Sequence, residues 1–220
     1  MNKVQWSCAA AIALASQAAA DVAVEIPAFD RGQYDNTGYH LPSSTNWLSG
    51  EWNEGAWHNF FVYDLTEWTD RISAADLIVV PEWYHSPDES ETYTLFDVQT
   101  PLDILLSGTG GVDAFDDLAA GTIYGENEVG QWTVHNDTTL ALNENFVNAF
   151  NSARGGYLAI GGALTTLDDD VTTKETWGGH IKSLTETRLS VTVVPAPSVL
   201  PVLVIGFCGR RRQRSCRRAQ

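Results

Sequence analysis

Three tryptophans, Trp47, Trp52 and Trp57, stand five residues apart in a segment whose other members are mostly Gly, Ser, Asn and Glu. Flat indole rings stack on the C–H faces of sugars, and Glu51, Asn53 and Glu54 are suited to bind the hydroxyls. The trio therefore predicts a glycan platform. The competing reading places the same rings beneath a long loop, since an indole carries a large apolar area and only one N–H to satisfy.

Other chemistry-bearing groups are less ordered. Asp168-Asp169-Asp170 and the set Asp113, Asp116 and Asp117 place carboxylates on expected turns, and such hard oxygens suit calcium. No EF-hand loop or Gly/Asp nonapeptide repeat accompanies them, so solvated turns are the simpler reading; no metal and no cofactor is expected. The histidines, His40, His58, His85, His135 and His180, form neither His-x-His nor His-Glu-x-x-His, the spacing a zinc hydrolase needs. A Gly-x-Ser-x-Gly elbow and a phosphate-binding glycine loop are also missing from the sequence. No catalytic residue is assigned, and the chain is read as a non-enzyme. Paired carboxylates for glycoside hydrolysis act through their spatial separation. A secreted glycan-active enzyme, like a glycoside hydrolase or polysaccharide lyase, is therefore kept as the alternative.

The elements that must position these groups are mostly short strands. Val22–Ile26, Asn59–Leu65, Ala75–Val80, Thr92–Val98, Gly121–Gly125, Thr138–Leu142, Tyr157–Ala163 and Glu186–Val194 are apolar or alternating runs between turn signals. Residues 28–58 are polar and rich in Gly, Asn and Ser, and predict a long loop. Pro101–Leu106 predicts one helical turn. Asn143 is placed to cap a short helix over Glu144–Ala153, with Phe146, Val147 and Phe150 on one face and Gly155 at its end. Many short strands with one short helix predict an all-β fold, a single β-sandwich spanning residues 21–193.

Charge narrows the partners. Residues 21–194 hold all 28 acidic residues against six basic ones (Arg31, Arg71, Arg154, Lys174, Lys182 and Arg188), a net charge of −22. Phosphate backbones are repelled by such a body, so no nucleic-acid partner is expected. Cysteine is confined to Cys8, Cys208 and Cys216, so the body is held by an apolar core and not by disulfides or thiolate-bound metal.

The two ends carry export signals. Lys3, the apolar run Ala9–Ala15 and the small residues Ala18-Ala19-Ala20 make a secretory signal peptide over residues 1–20. Its apolar run is shorter than the roughly 20 residues that span a bilayer. At the other end Val194-Pro195-Ala196-Pro197-Ser198 precedes the apolar run Val199–Cys208. A basic cluster with Arg210, Arg211, Arg212 and Arg214 follows. Prolines end the strand before them, and the arginines resist translocation. The expected result is a transient membrane stop with the body outside. Adding Leu189–Val194 to the apolar run would lengthen it, at the expense of placing Pro195 and Pro197 inside the membrane segment.

This order of motif, apolar segment and arginines resembles the PEP-CTERM sorting tail, over the 27 residues 194–220. The resemblance implies recognition by an exosortase-type membrane protease. Ala196 stands where that family usually has Glu, and Pro201 interrupts a short apolar run. The body resembles, over about 20 residues, jelly-roll modules of the disaggregatase-related (DNRLRE) kind. The matching pieces are Asn59-Phe60-Phe61-Val62-Tyr63-Asp64-Leu65 and Ile72-Ser73-Ala74-Ala75-Asp76-Leu77-Ile78. That resemblance implies a jelly-roll-like sandwich, extracellular and associated with carbohydrate. Together these readings predict an exported cell-envelope or extracellular-matrix protein, structural or adhesive, with polysaccharide as a contact.

Overall fold

The computed structural model describes residues 22–53, 55–168, 173–180 and 186–194. The signal peptide, Pro195–Ser198, the arginine cluster, Glu54, Asp169 and Asp170 lie outside the described residues.

The described residues form twelve strands: β1 Val22–Pro27, β2 Asp30–Asp35, β3 Trp47–Trp52, β4 Gly55–Asp64, β5 Ile72–Val79, β6 Trp83–His85, β7 Ser90–Asp97, β8 Ile123–Gly130, β9 Thr138–Ala141, β10 Tyr157–Leu164, β11 Glu175–Gly179 and β12 Arg188–Val193. Three short helices join them: α1 Leu102–Ser107, α2 Gly111–Asp117 and α3 Glu144–Ala153. The fold is all-β, as the sequence predicts.

Four strands make one sheet in the order β1-β12-β5-β9. A larger sheet runs β6-β11-β3-β4-β10-β7-β8, with β2 also paired to β4. Every pairing is antiparallel. Leu77, Val79, Leu189 and Val191 of the smaller sheet share one apolar core with Phe61, Tyr63, Leu95 and Ile160 of the larger. Burying an apolar side chain of this size contributes about 1.5–3 kcal/mol, so this shared face is the main source of stability.

Strand β4 explains why the alternation expected of a half-buried strand is absent from Asn59–Leu65. Phe61 and Tyr63 enter the main core, while Phe60 and Val62 pack with Tyr34, Leu105, Ala114 and Leu118 in a second one. Helices α1 and α2 supply this second layer. A strand covered on both faces is apolar throughout. Gly161 on β10 permits the close approach, since a Cβ there would lie 2.6 Å from the Leu118 carbonyl oxygen.

The helix over Glu144–Ala153 has the predicted bounds, and the Asn143 side chain accepts hydrogen bonds from the backbone N–H groups of Asn145 and Phe146. Such a cap satisfies donors that the first turn cannot. Phe146 and Phe150 are buried beneath it.

Two expectations are corrected. Residues 28–58 are not one loop: β2, β3 and the start of β4 occupy much of that span. Their polar residues are held by sheet pairing and by the buried Arg31, which donates to the Thr45 carbonyl and to Thr187 Oγ1. The segment after Pro101 holds two helices. Asp113, Asp116 and Asp117 lie on α2 and not in a turn, where Asp117 accepts from the backbone N–H groups of Gln99 and Thr100. The closing strand expected over Glu186–Val194 is present as β12, where Leu189 and Val191 are fully buried between β1 and β5. They belong to the folded body and do not lengthen the apolar tail.

Candidate functional site

The three spaced tryptophans part company. Trp47 is wholly buried, edge-on to Phe61 at 5.6 Å and to Trp177 at 4.9 Å between ring centroids. Its ring is a core element and offers no face to a ligand. Trp52 is 44% exposed and Trp57 is half-buried. These two meet Trp83 from β6 in a cleft of about 270 Å³, completed by Gln33, Leu48, Lys174 and Thr176.

Strand register builds this cleft. Trp57 lies opposite Gly50 on β3, which lies opposite Thr176 on β11. In the next row Leu48 lies opposite Gly178, and Gly178 opposite Trp83. Each row sets a glycine beside a ring, Gly50 beside Trp57 and Gly178 beside Trp83, which leaves room next to each indole. At Gly178 a Cβ would stand 3.0 Å from the Trp83 ring and 2.5 Å from the Trp47 carbonyl oxygen. Gly50 has φ +119, a backbone region open to glycine and strained for other residues.

The polar groups of the cleft have unmet hydrogen-bonding capacity. Gln33 Oε1 and Thr176 Oγ1 are buried and have no partner within the protein. Native structures leave few such atoms, and each costs about 1–3 kcal/mol if left dry. The Lys174 ammonium lies 4.5 Å from the Trp52 ring centroid, a cation–π contact.

Two further hollows adjoin. One, of about 310 Å³, shares Gln33 and Trp57 with the cleft and adds Asp35, Tyr39, His40 and Asn46. Burial pushes the His40 pKa down from the ordinary histidine range, and its Nδ1 lies 2.9 Å from the Gln33 carbonyl. The other, of about 660 Å³, shares Lys174 and adds His85, Asp88, Glu89 and Trp132. Trp132 is 55% exposed. Burial first, and Lys174 second, lower the His85 pKa.

Two buried carboxylates lie nearby without lining any of these hollows. Glu91 accepts from Ser86 Oγ and Thr166 Oγ1, each at 2.6 Å. Glu175 accepts the Asp168 backbone N–H through Oε2 at 2.8 Å, while its buried Oε1 is unpartnered. Burial raises the Glu175 pKa, the Asp168 N–H opposes this, and the charges of Glu91, Asp168 and Asp88 add to the rise. The folded state thus holds this proton more tightly than the unfolded state. Its stabilising contribution is present at acid pH and is lost as pH rises through the raised value. Glu175→Gln is therefore expected to raise the melting temperature at pH 7 by about 2–4 °C, for about 1 kcal/mol. At pH 4 the gain should vanish. Calorimetric scans at the two pH values check this, and an equal shift at both would contradict it.

Among the described residues no three His, Cys, Asp or Glu side chains are grouped to hold a metal ion. His58 stacks on Phe115 at 3.9 Å and His180 lies 4.5 Å from Trp83. Of the expected sorting motif only Val194 is described; it is exposed, and its N–H donates to the Arg71 carbonyl.

Sequence reasoning missed Trp83, Lys174, Thr176 and Gln33. They come from three separate segments, β2, β6 and residues 174–176 at the start of β11, and only the pairing of β6, β11, β3, β4 and β2 unites them. Fold and site together define an all-β protein of two antiparallel sheets with an aromatic cleft on the larger one. No protein-family model matches the chain, and no curated protein matches it.

Proposed function

We propose that this chain is an exported, non-enzymatic protein of the cell envelope or extracellular matrix, structural or adhesive, that contacts polysaccharide through Trp52, Trp57 and Trp83. One observation carries the glycan contact: three indoles surround a cleft that contains buried polar atoms without partners. Sugars supply apolar C–H faces and hydroxyls together, which is the pairing of surfaces this cleft lacks. The body is a jelly-roll-like sandwich of the kind its Asn59–Leu65 and Ile72–Ile78 pieces resemble. In support, those pieces fall on β4 and β5, in opposite sheets around one core. Affinity electrophoresis tests the binding: the protein is retarded in gels cast with its polysaccharide, and unretarded migration across a broad polymer panel would contradict it.

Export rests on the two terminal signals. The tail from Val194, with Pro195, Ala196, Pro197 and Ser198 and the stop at Arg210, Arg211, Arg212 and Arg214, is presented to an exosortase-type enzyme during transient insertion in the inner membrane. Changing Arg210→Gln, Arg211→Gln and Arg212→Gln together is expected to release unprocessed protein from the membrane fraction. Unchanged fractionation and unchanged chain length by mass spectrometry would contradict the sorting role.

A further inference from the structure

We propose that the three adjoining hollows form one groove that holds an uncharged, linear glycan along its length, with the exposed indole of Trp132 as the platform farthest along the chain of hollows from Tyr39. This rests on the glycan reading above and extends it to ligand length and charge.

Continuity comes from shared walls. Gln33 and Trp57 belong both to the Tyr39 hollow and to the central cleft. Lys174 belongs both to the central cleft and to the Trp132 hollow. The exposed aromatic side chains along this path are Tyr39 (61%), Trp52 (44%) and Trp132 (55%). Each of the three hollows therefore has an exposed aromatic ring. A single sugar uses one ring; a chain of sugars uses them in succession, and each stacked unit adds to the binding without adding a second loss of rigid-body freedom.

The polar atoms choose among ligands that stack on indoles. Gln33 Oε1 is an acceptor and needs a donor. A proline-rich peptide also lies well on aromatic grooves, but proline has no N–H to give. Sugar hydroxyls donate and accept, so one ligand class matches both Gln33 and Thr176, the lining residues whose side-chain oxygens have no partner within the protein.

Charge chooses within the glycans. Asp35 lines the first hollow, and Asp88 and Glu89 the third. Among the described residues, Lys174 is the single Lys or Arg that lines these hollows, and its ammonium is already set over Trp52. The whole chain carries a formal charge of −15. A polyuronate would bring carboxylates against these acids, and repulsion at such short range survives physiological salt, where screening acts over about 8 Å. An uncharged chain meets no such cost.

The test titrates the full-length protein with neutral gluco-, xylo- and manno-oligosaccharide ladders from monomer to hexamer. A polyuronate and a proline-rich peptide serve as competing probes. Affinity for one neutral ladder is expected to rise by about tenfold or more from dimer to hexamer, and to change little with salt. Trp132→Ala is expected to remove most of that gain while leaving dimer affinity intact; Trp57→Ala lowers affinity at every length. Equal affinity at all lengths, or a hexamer indifferent to Trp132→Ala, would overturn the extended groove while leaving the central cleft as a glycan site. Tighter, salt-sensitive binding of the polyuronate would overturn the neutral class alone. Failure of all three neutral ladders overturns this proposal. If the polyuronate also fails, or the peptide alone binds through Trp57, the glycan reading beneath it falls as well.

Discussion

Trp57→Ala is expected to reduce polysaccharide affinity by at least about tenfold while shifting the melting temperature little. Trp57 lines both the central cleft and the hollow beside Tyr39, so its loss removes a wall from two places at once. Central aromatic residues at binding surfaces commonly contribute about 2 kcal/mol or more, and 1.4 kcal/mol is already a factor of ten. The residue is half-buried, in a row whose next member is Gly50, so truncation opens the cleft further without emptying the core. Trp52→Ala should act in the same direction with a smaller loss, because the exposed face of that ring is shared with Lys174. Calorimetric titration, together with a thermal melt of each variant, separates lost contact from lost fold.

Trp47→Ala is expected to do the reverse. It should cost about 3–5 kcal/mol of stability, the range for removing a large aromatic side chain from a core. Trp47 is 0% exposed and stands at the centre of an aromatic group with Phe61 and Trp177, the latter also in edge contact with Tyr93 at 4.7 Å. Chemical denaturation would show a lower midpoint with an unchanged slope if the native state stays compact. A loss under 1 kcal/mol would contradict the core assignment. Trp47 and Trp52, at the two ends of β3, thus carry opposite consequences.

That contrast shows how far the sequence could be read. Helix α3 was legible to its bounds because the information is local: Asn143 caps, Phe146 and Phe150 share a face, and Gly155 with φ +81 ends it. The all-β class was legible from repeated short apolar runs. Strands β2 and β3 were hidden, because Asp30–Asp35 and Trp47–Trp52 hold polar residues and glycines that make a poor strand alone. They are strands through pairing with β4 and β11; β4 follows β3 directly, but β11 is distant in the chain. Strand parity places Trp47 on the core side and Leu48 and Trp52 on the cleft side, but parity has no meaning for a segment read as a loop. Trp83 was hidden for a related reason: its three-residue strand follows Pro81, and only its register with Gly178 brings it to Trp52. The site is assembled by register, which is a long-range property. Composition and local spacing supplied its residue types and only part of its membership.

The direct measurement of the central claim is a paired titration of polysaccharide into the full-length protein and into its Trp52→Ala, Trp57→Ala double variant. The glycan account predicts measurable binding heat for the first and none for the second, with coincident thermal melts. Equal binding by both proteins would place the contact elsewhere, and the absence of binding by the unaltered protein across neutral and acidic polymers would contradict a glycan role for this cleft.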